Sequence, residues 1–258
     1  MNAIITGVSS DIGKYICDSL EKDNWDVYGS FRKQSNYNLE RFVNCDFSDE
    51  GQIEHAIDFF SKINWDLFIS SVGTLEPIGR FAELNFQEWQ EAIYINALSQ
   101  LKLLQGILKQ HNPGATVFFF AGAGTNGGAL CYSSYCISKI ILIKMCELLD
   151  EEIDDVKFVI GGPGIIGTKI HNQTLKNKER AEKNYVRIKE YVENEGEKYT
   201  ESLRRVYEFI KWCISAKKEE VSGRNFSIVN DKWGEDIFRD ELVCDTNMYK
   251  LRRYRNEF

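Results

Sequence analysis

The sequence predicts an α/β fold: a doubly wound parallel sheet of about seven strands held between two layers of helices, three layers in all. Strand-like and helix-like runs alternate from the first residue to about residue 229. Several strand runs are apolar without interruption, as in Leu67-Phe68-Ile69, which suits a strand covered on both faces. The first strand also runs straight into a glycine-bearing turn that opens a helix. Right-handed crossovers between parallel strands then give the doubly wound order.

Ala3-Ile4-Ile5 reads as the first strand. Ile12, Ile16 and Leu20 recur every four residues and predict a helix ending near Asp23-Asn24. Strands are expected at 25–31 and 41–45, a helix at 49–63, and a fourth strand at 65–70. A long helical region is expected at 86–109, broken by His111-Asn112-Pro113-Gly114. A strand at 116–120, a helix at 134–149 and a strand at 156–160 follow. From about 168 to 200 the chain turns polar and poor in large aliphatics. An amphipathic helix at 203–214, a seventh strand at 224–229 and a polar tail at about 234–258 complete it. The expectation is one domain over 1–258, with residues 168–200 as a long excursion from it.

Bulk properties narrow the function. A chain of 258 residues can bury a substantial core, and its 43% hydrophobic content is ordinary for a globular protein. A net charge of -7 argues against a dedicated nucleic-acid binder. No apolar run reaches membrane-spanning length, and the N-terminus reads as a strand, not a leader, so a cytoplasmic protein is expected. The seven cysteines include no Cys-x-x-Cys pair, which fits reduced thiols better than a disulfide framework. The three histidines have no ligand-like spacing, and no metal site is expected.

The turn Thr6-Gly7-Val8-Ser9-Ser10-Asp11-Ile12-Gly13 joins the first strand to the first helix. Such a turn presents backbone N–H groups and a helix N-terminus to a phosphate, and makes the fold Rossmann-like. Gly7 and Gly13 stand where the turn is tight and where helix meets strand. Asp11 takes the place of the middle glycine and is itself a good helix-capping residue. Gly7, Ser9, Ser10, Asp11, Ile12 and Gly13 are therefore cofactor-binding candidates. The second strand ends Phe31-Arg32-Lys33 with no acid, so Arg32 favours the 2′-phosphate of NADP, and NAD stays open.

Tyr135 and Lys139 lie one helical turn apart and face the same side. A free phenol has a pKa of about 10, so bringing it to neutrality needs about 4 kcal/mol of differential stabilisation. A fixed ammonium and a positively charged nicotinamide ring together are suited to supply it.

These motifs, in this order, resemble the short-chain dehydrogenase/reductase family in its single-domain form. The likeness is strong over residues 1–168 and weaker beyond. It implies that Asp46 and Phe47, in Cys45-Asp46-Phe47-Ser48, lie at the adenine, and that Ser71, Val72 and Gly73 lie beside the cofactor. Trp89 and Asn96 match the helix carrying that family's catalytic asparagine. Pro163, Gly164, Ile166 and Thr168 match the segment that holds the nicotinamide end. The resemblance implies that Tyr135 exchanges a proton with a ketone or secondary alcohol while hydride moves to or from the nicotinamide. It implies that Lys139 holds the ribose and lowers the tyrosine pKa, and that the helix bends at Asn96 to admit a proton-relay water. The family's usual serine, thirteen residues before the tyrosine, is Gly122 here. Thr125 or Asn126 are the candidate replacement donors, and Ser70-Ser71 replaces Asn-Asn.

Lys169, His171, Lys176, Lys178, Arg180, Lys183, Arg187 and Lys189 make the excursion cationic. That favours an anionic small-molecule substrate, with a phosphorylated or nucleotide-linked sugar as the first expectation; a solvated, ion-paired surface is the alternative. The basic, aromatic tail at 249–255 is a second candidate for closing the site. Apolar helices at 97–108 and 137–149 resemble those that pair subunits in the family, so a homodimer or homotetramer is expected. Two rival functions stay open: a cofactor-binding regulator with little turnover, and an epimerase or dehydratase that uses the cofactor transiently.

Overall fold

The computed structural model describes residues 1–33, 37–125, 127–196 and 198–253. Seven strands form one sheet in the order β3-β2-β1-β4-β5-β6-β7, with every pairing parallel. They are β1 (Asn2–Thr6), β2 (Asp26–Phe31), β3 (Phe42–Asn44), β4 (Trp65–Ser70), β5 (His111–Phe120), β6 (Lys157–Gly162) and β7 (Arg224–Ser227). The order reverses between β1 and β4, which opens a crevice at the carboxyl ends of the strands.

Helices α1 (Asp11–Lys22), α2 (Glu50–Phe60), α3 (Phe86–Ile93), α4 (Ser99–Ile107) and α5 (Ser133–Glu152) alternate with the strands. The excursion carries α6 (His171–Lys176), α7 (Lys178–Ala181) and α8 (Lys183–Asn194). The chain then passes through α9 (Lys198–Ser215) and α10 (Lys218–Val221) into β7, and ends in α11 (Asp236–Cys244) and a tail.

Alternation along each strand splits the core in two. Ile5, Leu67, Ile69, Phe118 and Val159 face one layer with α1 and α9. Ile4, Phe68, Val117, Phe119, Phe158 and Ile160 face the other, with α2, α4 and α5. Both faces are covered, which is why the central strands β1, β4, β5 and β6 carry near-continuous apolar runs such as Leu67-Phe68-Ile69 and Val117-Phe118-Phe119.

Three differences from the expected elements are the largest. Strand β5 starts at His111, five residues early, because a register shift opposite Trp65 and Leu67 absorbs Pro113 and Gly114. Helix α9 starts at Lys198, so polar residues of the excursion belong to it. The expected long helix at 86–109 is interrupted by a π-helical turn at Tyr94–Leu98 and closes in a 3₁₀ turn at Leu108–Gln110. Asn96 explains the interruption. Its Oδ1 accepts the Thr74 N–H at 2.7 Å, and its Nδ2 donates to the Thr74 carbonyl at 2.9 Å. The Ile95 carbonyl accepts instead from Gln100 Nε2 at 3.0 Å and Ser99 Oγ at 3.1 Å. π-turns of this kind gather at functional sites.

Candidate active site

A cavity of ≈ 1530 Å³ opens along the carboxyl ends of the strands. Its floor includes the residues that leave β1 (Gly7), β2 (Arg32), β3 (Cys45, Asp46, Phe47) and β4 (Ser71, Val72, Gly73). Ala121 and Gly122 leave β5 there, and Pro163, Gly164, Ile166 and Thr168 follow β6. Ser9, Ser10, Asp11 and Ile12 reach it from the first turn, and Tyr135 and Lys139 from α5. Gly13 and Asn96 do not line it; each is hydrogen-bonded to a residue that does, Gly13 to Ser10 and Asn96 to Thr74.

The first turn is built for a close approach. Gly7 has φ +75°, which favours glycine. A Cβ at Gly13 would lie 2.4 Å from the Gly7 carbonyl oxygen and 2.4 Å from Ser71 Oγ. Ser10 caps α1 by accepting from the Gly13 N–H at 3.0 Å. Ser71 Oγ donates to the Thr6 carbonyl at 2.7 Å and accepts from Ser10 Oγ at 3.2 Å. Thr6 Oγ1 donates to Ser70, which donates to Gln100 Oε1 at 2.7 Å. The two serines that replace Asn-Asn thus tie β4 to the phosphate turn and to the π-turn. This cradle, at the N-terminus of α1, fits a dinucleotide diphosphate.

Arg32 is exposed at the cavity rim and has no ion pair among the described residues. Asp46 Oδ1 accepts from the Ser48 N–H at 3.0 Å and Ser48 Oγ at 2.8 Å, which fixes the carboxylate at the end of β3. Phe47 is buried, so its contribution to the wall is small.

Tyr135 and Lys139 come together as their spacing predicts. Lys139 is buried, and its Nζ lies 5.5 Å from the Tyr135 ring centre. Burial dominates their electrostatics in the protein alone. Burial pushes the Tyr135 phenol up to about 12, and burial pushes the Lys139 ammonium down to about 8. Both groups are desolvated, and the ammonium lies over the ring face, where it does not offset the phenol's loss of solvent. In the protein alone, then, burial outweighs any lowering of the tyrosine pKa by the lysine.

Gly122 sits against that phenol. A Cβ built there would lie 2.5 Å from Tyr135 Oη and 2.5 Å from a ring carbon. The tyrosine occupies the space a serine side chain would need. Thr125 lines the cavity; Asn126, the other candidate donor, lies outside the described residues.

The excursion forms the roof. Lys169, His171, Lys183 and Arg187 line the cavity, whereas Lys178 lies over the Tyr185 ring and Lys189 pairs with Glu193. His171 Nδ1 is buried without a hydrogen-bond partner among the described residues, and burial holds its pKa below the usual imidazole value. The tail contributes Tyr249, Lys250, Leu251 and Arg252; residues 254–258 lie outside the described residues.

Sequence reasoning missed the residues that dock this roof. Gln173 Oε1 accepts the Leu75 N–H at 2.7 Å, and Tyr132 Oη pairs with Thr174 Oγ1 at 2.8 Å. Arg80 grips Glu182 through Nε at 2.5 Å and Nη2 at 2.8 Å. The buried Glu195 accepts the Gly167 N–H. No spacing rule finds pairs like Arg80 and Glu182, which are remote in sequence.

The family profile described as short chain dehydrogenase matches residues 1–179. The chain belongs to the short chain dehydrogenase family. As a member of it, the protein is an NAD(P)-dependent oxidoreductase. Among curated relatives, an uncharacterized oxidoreductase of Saccharomyces cerevisiae, YIR035C, is 28% identical over 191 residues, covering 67% of this chain and 74% of its own. An uncharacterized oxidoreductase of Schizosaccharomyces pombe is 26% identical over 177 residues, covering 64% of this chain and 70% of its own. The crystal structure of the S. cerevisiae protein superposes with a TM-score of 0.76 at 22% identity, over 90% of this chain and 96% of that one. BdcA in complex with NADPH superposes with a TM-score of 0.66 at 17% identity, over 88% and 91%. Likeness at these identities speaks for the fold of this dehydrogenase, a seven-stranded parallel sheet flanked by helices. Among the described residues no helix is long and apolar enough to cross a membrane.

Proposed function

We propose that this dehydrogenase interconverts a ketone and a secondary alcohol with NADP(H), on an anionic small molecule such as a phosphorylated or nucleotide-linked sugar. The observation that carries the reading is the pairing of Tyr135 and Lys139 on the cavity wall, where the ends of β4, β5 and β6 converge. A bound nicotinamide cofactor supplies or accepts the hydride. Tyr135 Oη gives a proton to the substrate oxygen, or takes one from it. Lys139 Nζ holds the ribose hydroxyls and adds a positive charge beside the phenol. Asn96 holds the Thr74 backbone and the π-turn, beside which a relay water is expected. Arg32, with no acid at the end of β2, supports NADP over NAD. Lys183 and Arg187, one helical turn apart and without ion pairs among the described residues, support an anionic substrate. Exposed Ile137 and Leu148 on α5 support a homodimer or homotetramer.

The test is NADPH consumption with a panel of keto-sugar phosphates, and with Tyr135→Phe beside the wild type. The variant is expected to lose turnover and keep NADPH binding; a variant as active as the wild type rules the mechanism out. Arg32→Ala is expected to erode the preference for NADPH over NADH, and an unchanged ratio removes Arg32 from cofactor selection. A second reading, a cofactor-binding regulator with little turnover, is favoured by the upward-shifted phenol and by Gly122 in the serine position. NADPH binding without consumption across the panel selects it. Cofactor-dependent conversion of a sugar without net consumption selects the epimerase or dehydratase.

A further inference from the structure

Asp11 places a carboxylate on the first residue of α1, inside the turn whose shape suits a diphosphate. Anions are favoured at that helix end, and a fixed carboxylate there competes with a bound phosphate for the same N–H groups. The carboxylate is engaged from across the crevice. Its Oδ2 accepts the Lys169 backbone N–H at 2.7 Å, and its Oδ1 meets Lys169 Nζ at 3.1 Å. Lys169 is the residue just after Thr168, where the segment following β6 passes into the excursion.

The same segment is gripped from its other side. The Gly167 N–H donates to both Glu195 oxygens, at 2.9 and 2.8 Å. A Cβ at Gly167 would fall within 1.9 Å of Glu195 Oε2, so only glycine permits the approach. The Thr168 N–H donates to the Ile166 carbonyl at 2.6 Å, folding the segment into a tight turn. Residues 165–169 therefore form a strap between α1 on one side and the end of α8 on the other.

We propose that Asp11 is the catch of this strap, and that the Lys169 ammonium is positioned by Asp11 to offset its charge and to meet the cofactor diphosphate. The proposal rests on the cofactor-binding reading of the cavity. It explains an acid at a position where an acid alone would oppose binding: Asp11 and Lys169 work as one unit, and neither is useful without the other. Lys169 is a binding residue, and Asp11 a positioning residue that acts through it.

The test is a double-mutant cycle read by NADPH affinity, using fluorescence and calorimetry on the full chain. Lys169→Ala is expected to weaken binding about tenfold, the worth of one charge-assisted contact. In an Asp11→Ala background the same change is expected to cost less than about threefold. Asp11→Ala alone removes both a repulsion and the catch, so the coupling is the readout. Equal losses from Lys169→Ala in the two backgrounds overturn the proposal. Amide hydrogen exchange at residues 165–171 needs no cofactor. It is expected to quicken in Asp11→Ala, and unchanged exchange also overturns the catch. If the wild type binds neither NADPH nor NADH, the functional reading fails, while the exchange experiment still decides the strap.

Discussion

Lys139 is buried and carries a pKa lowered from 10.5 to about 8 by loss of solvent. The folded state therefore binds this proton less tightly than the unfolded chain does. Between about 8 and 10.5 the unfolded chain holds more protons, so this group's contribution to stability rises with pH through that window. At pH 7 the buried ammonium is a cost. Lys139→Met is expected to melt higher than the wild type at pH 7, with an advantage that shrinks as the pH rises towards 10.5. A constant difference across that range would show that the lysine is not strained by burial. Gly122 makes the matching point for space. With Tyr135 Oη 2.5 Å from where a Cβ would stand, Gly122→Ala is expected to cost about 1–3 kcal/mol of stability by overpacking. Denaturant unfolding measures it, and wild-type stability in that variant would show that the ring yields freely.

At the scale of elements, side chains finish what the backbone leaves open. Lys157, buried on β6, donates to the carbonyls of Cys213, Ile214 and Ala216 at the end of α9. Lys218 does the same for Asp150 and Ile153 at the end of α5, and also reaches the Val156 carbonyl just before β6. Cations at a helix C-terminus satisfy orphan carbonyls and oppose the helix dipole. Lys157→Met is expected to lower unfolding stability by about 2–3 kcal/mol, because those carbonyls lose a charged donor. A urea midpoint equal to the wild type's would mean that water replaces the ammonium at no cost. The first turn gives a sharper prediction. Gly13→Val drives a side chain into the Gly7 carbonyl 2.4 Å away, and NADPH binding is expected to disappear. Retained binding, followed by fluorescence, would remove this turn from the cofactor site. The family resemblance implied a bend of the long helix at Asn96, and the structure gives that bend as a π-turn. Its existence depends on Thr74, twenty-two residues away, offering both backbone groups to Asn96.

Across the whole molecule, a chain with net charge -7 gathers cations on one roof. Lys183 and Arg187 face the cavity without ion pairs among the described residues, and like charges one helical turn apart repel. On an anionic substrate, Lys183→Ala and Arg187→Ala are each expected to raise KM about tenfold with kcat nearly unchanged. The same variants should leave a neutral ketone unaffected, and added salt should mimic them. Equal effects on charged and neutral substrates would assign these residues to packing. The excursion's composition marked it as a cover in advance. Its docking, through Gln173 on Leu75, Thr174 on Tyr132 and Glu182 on Arg80, had no sequence signal.

The order of elements, the phosphate turn and the Tyr135–Lys139 pair were determined by the sequence alone. Each is a short-range pattern: apolar alternation, glycine where a Cβ cannot fit, and two side chains at helical spacing. Tertiary structure decided how that pair is solvated, which carboxylates hold the strap, and that the tyrosine ring fills the place of the absent serine. Those outcomes depend on groups brought together from distant parts of the chain, because burial and close approach are properties of the packed fold and of no single segment.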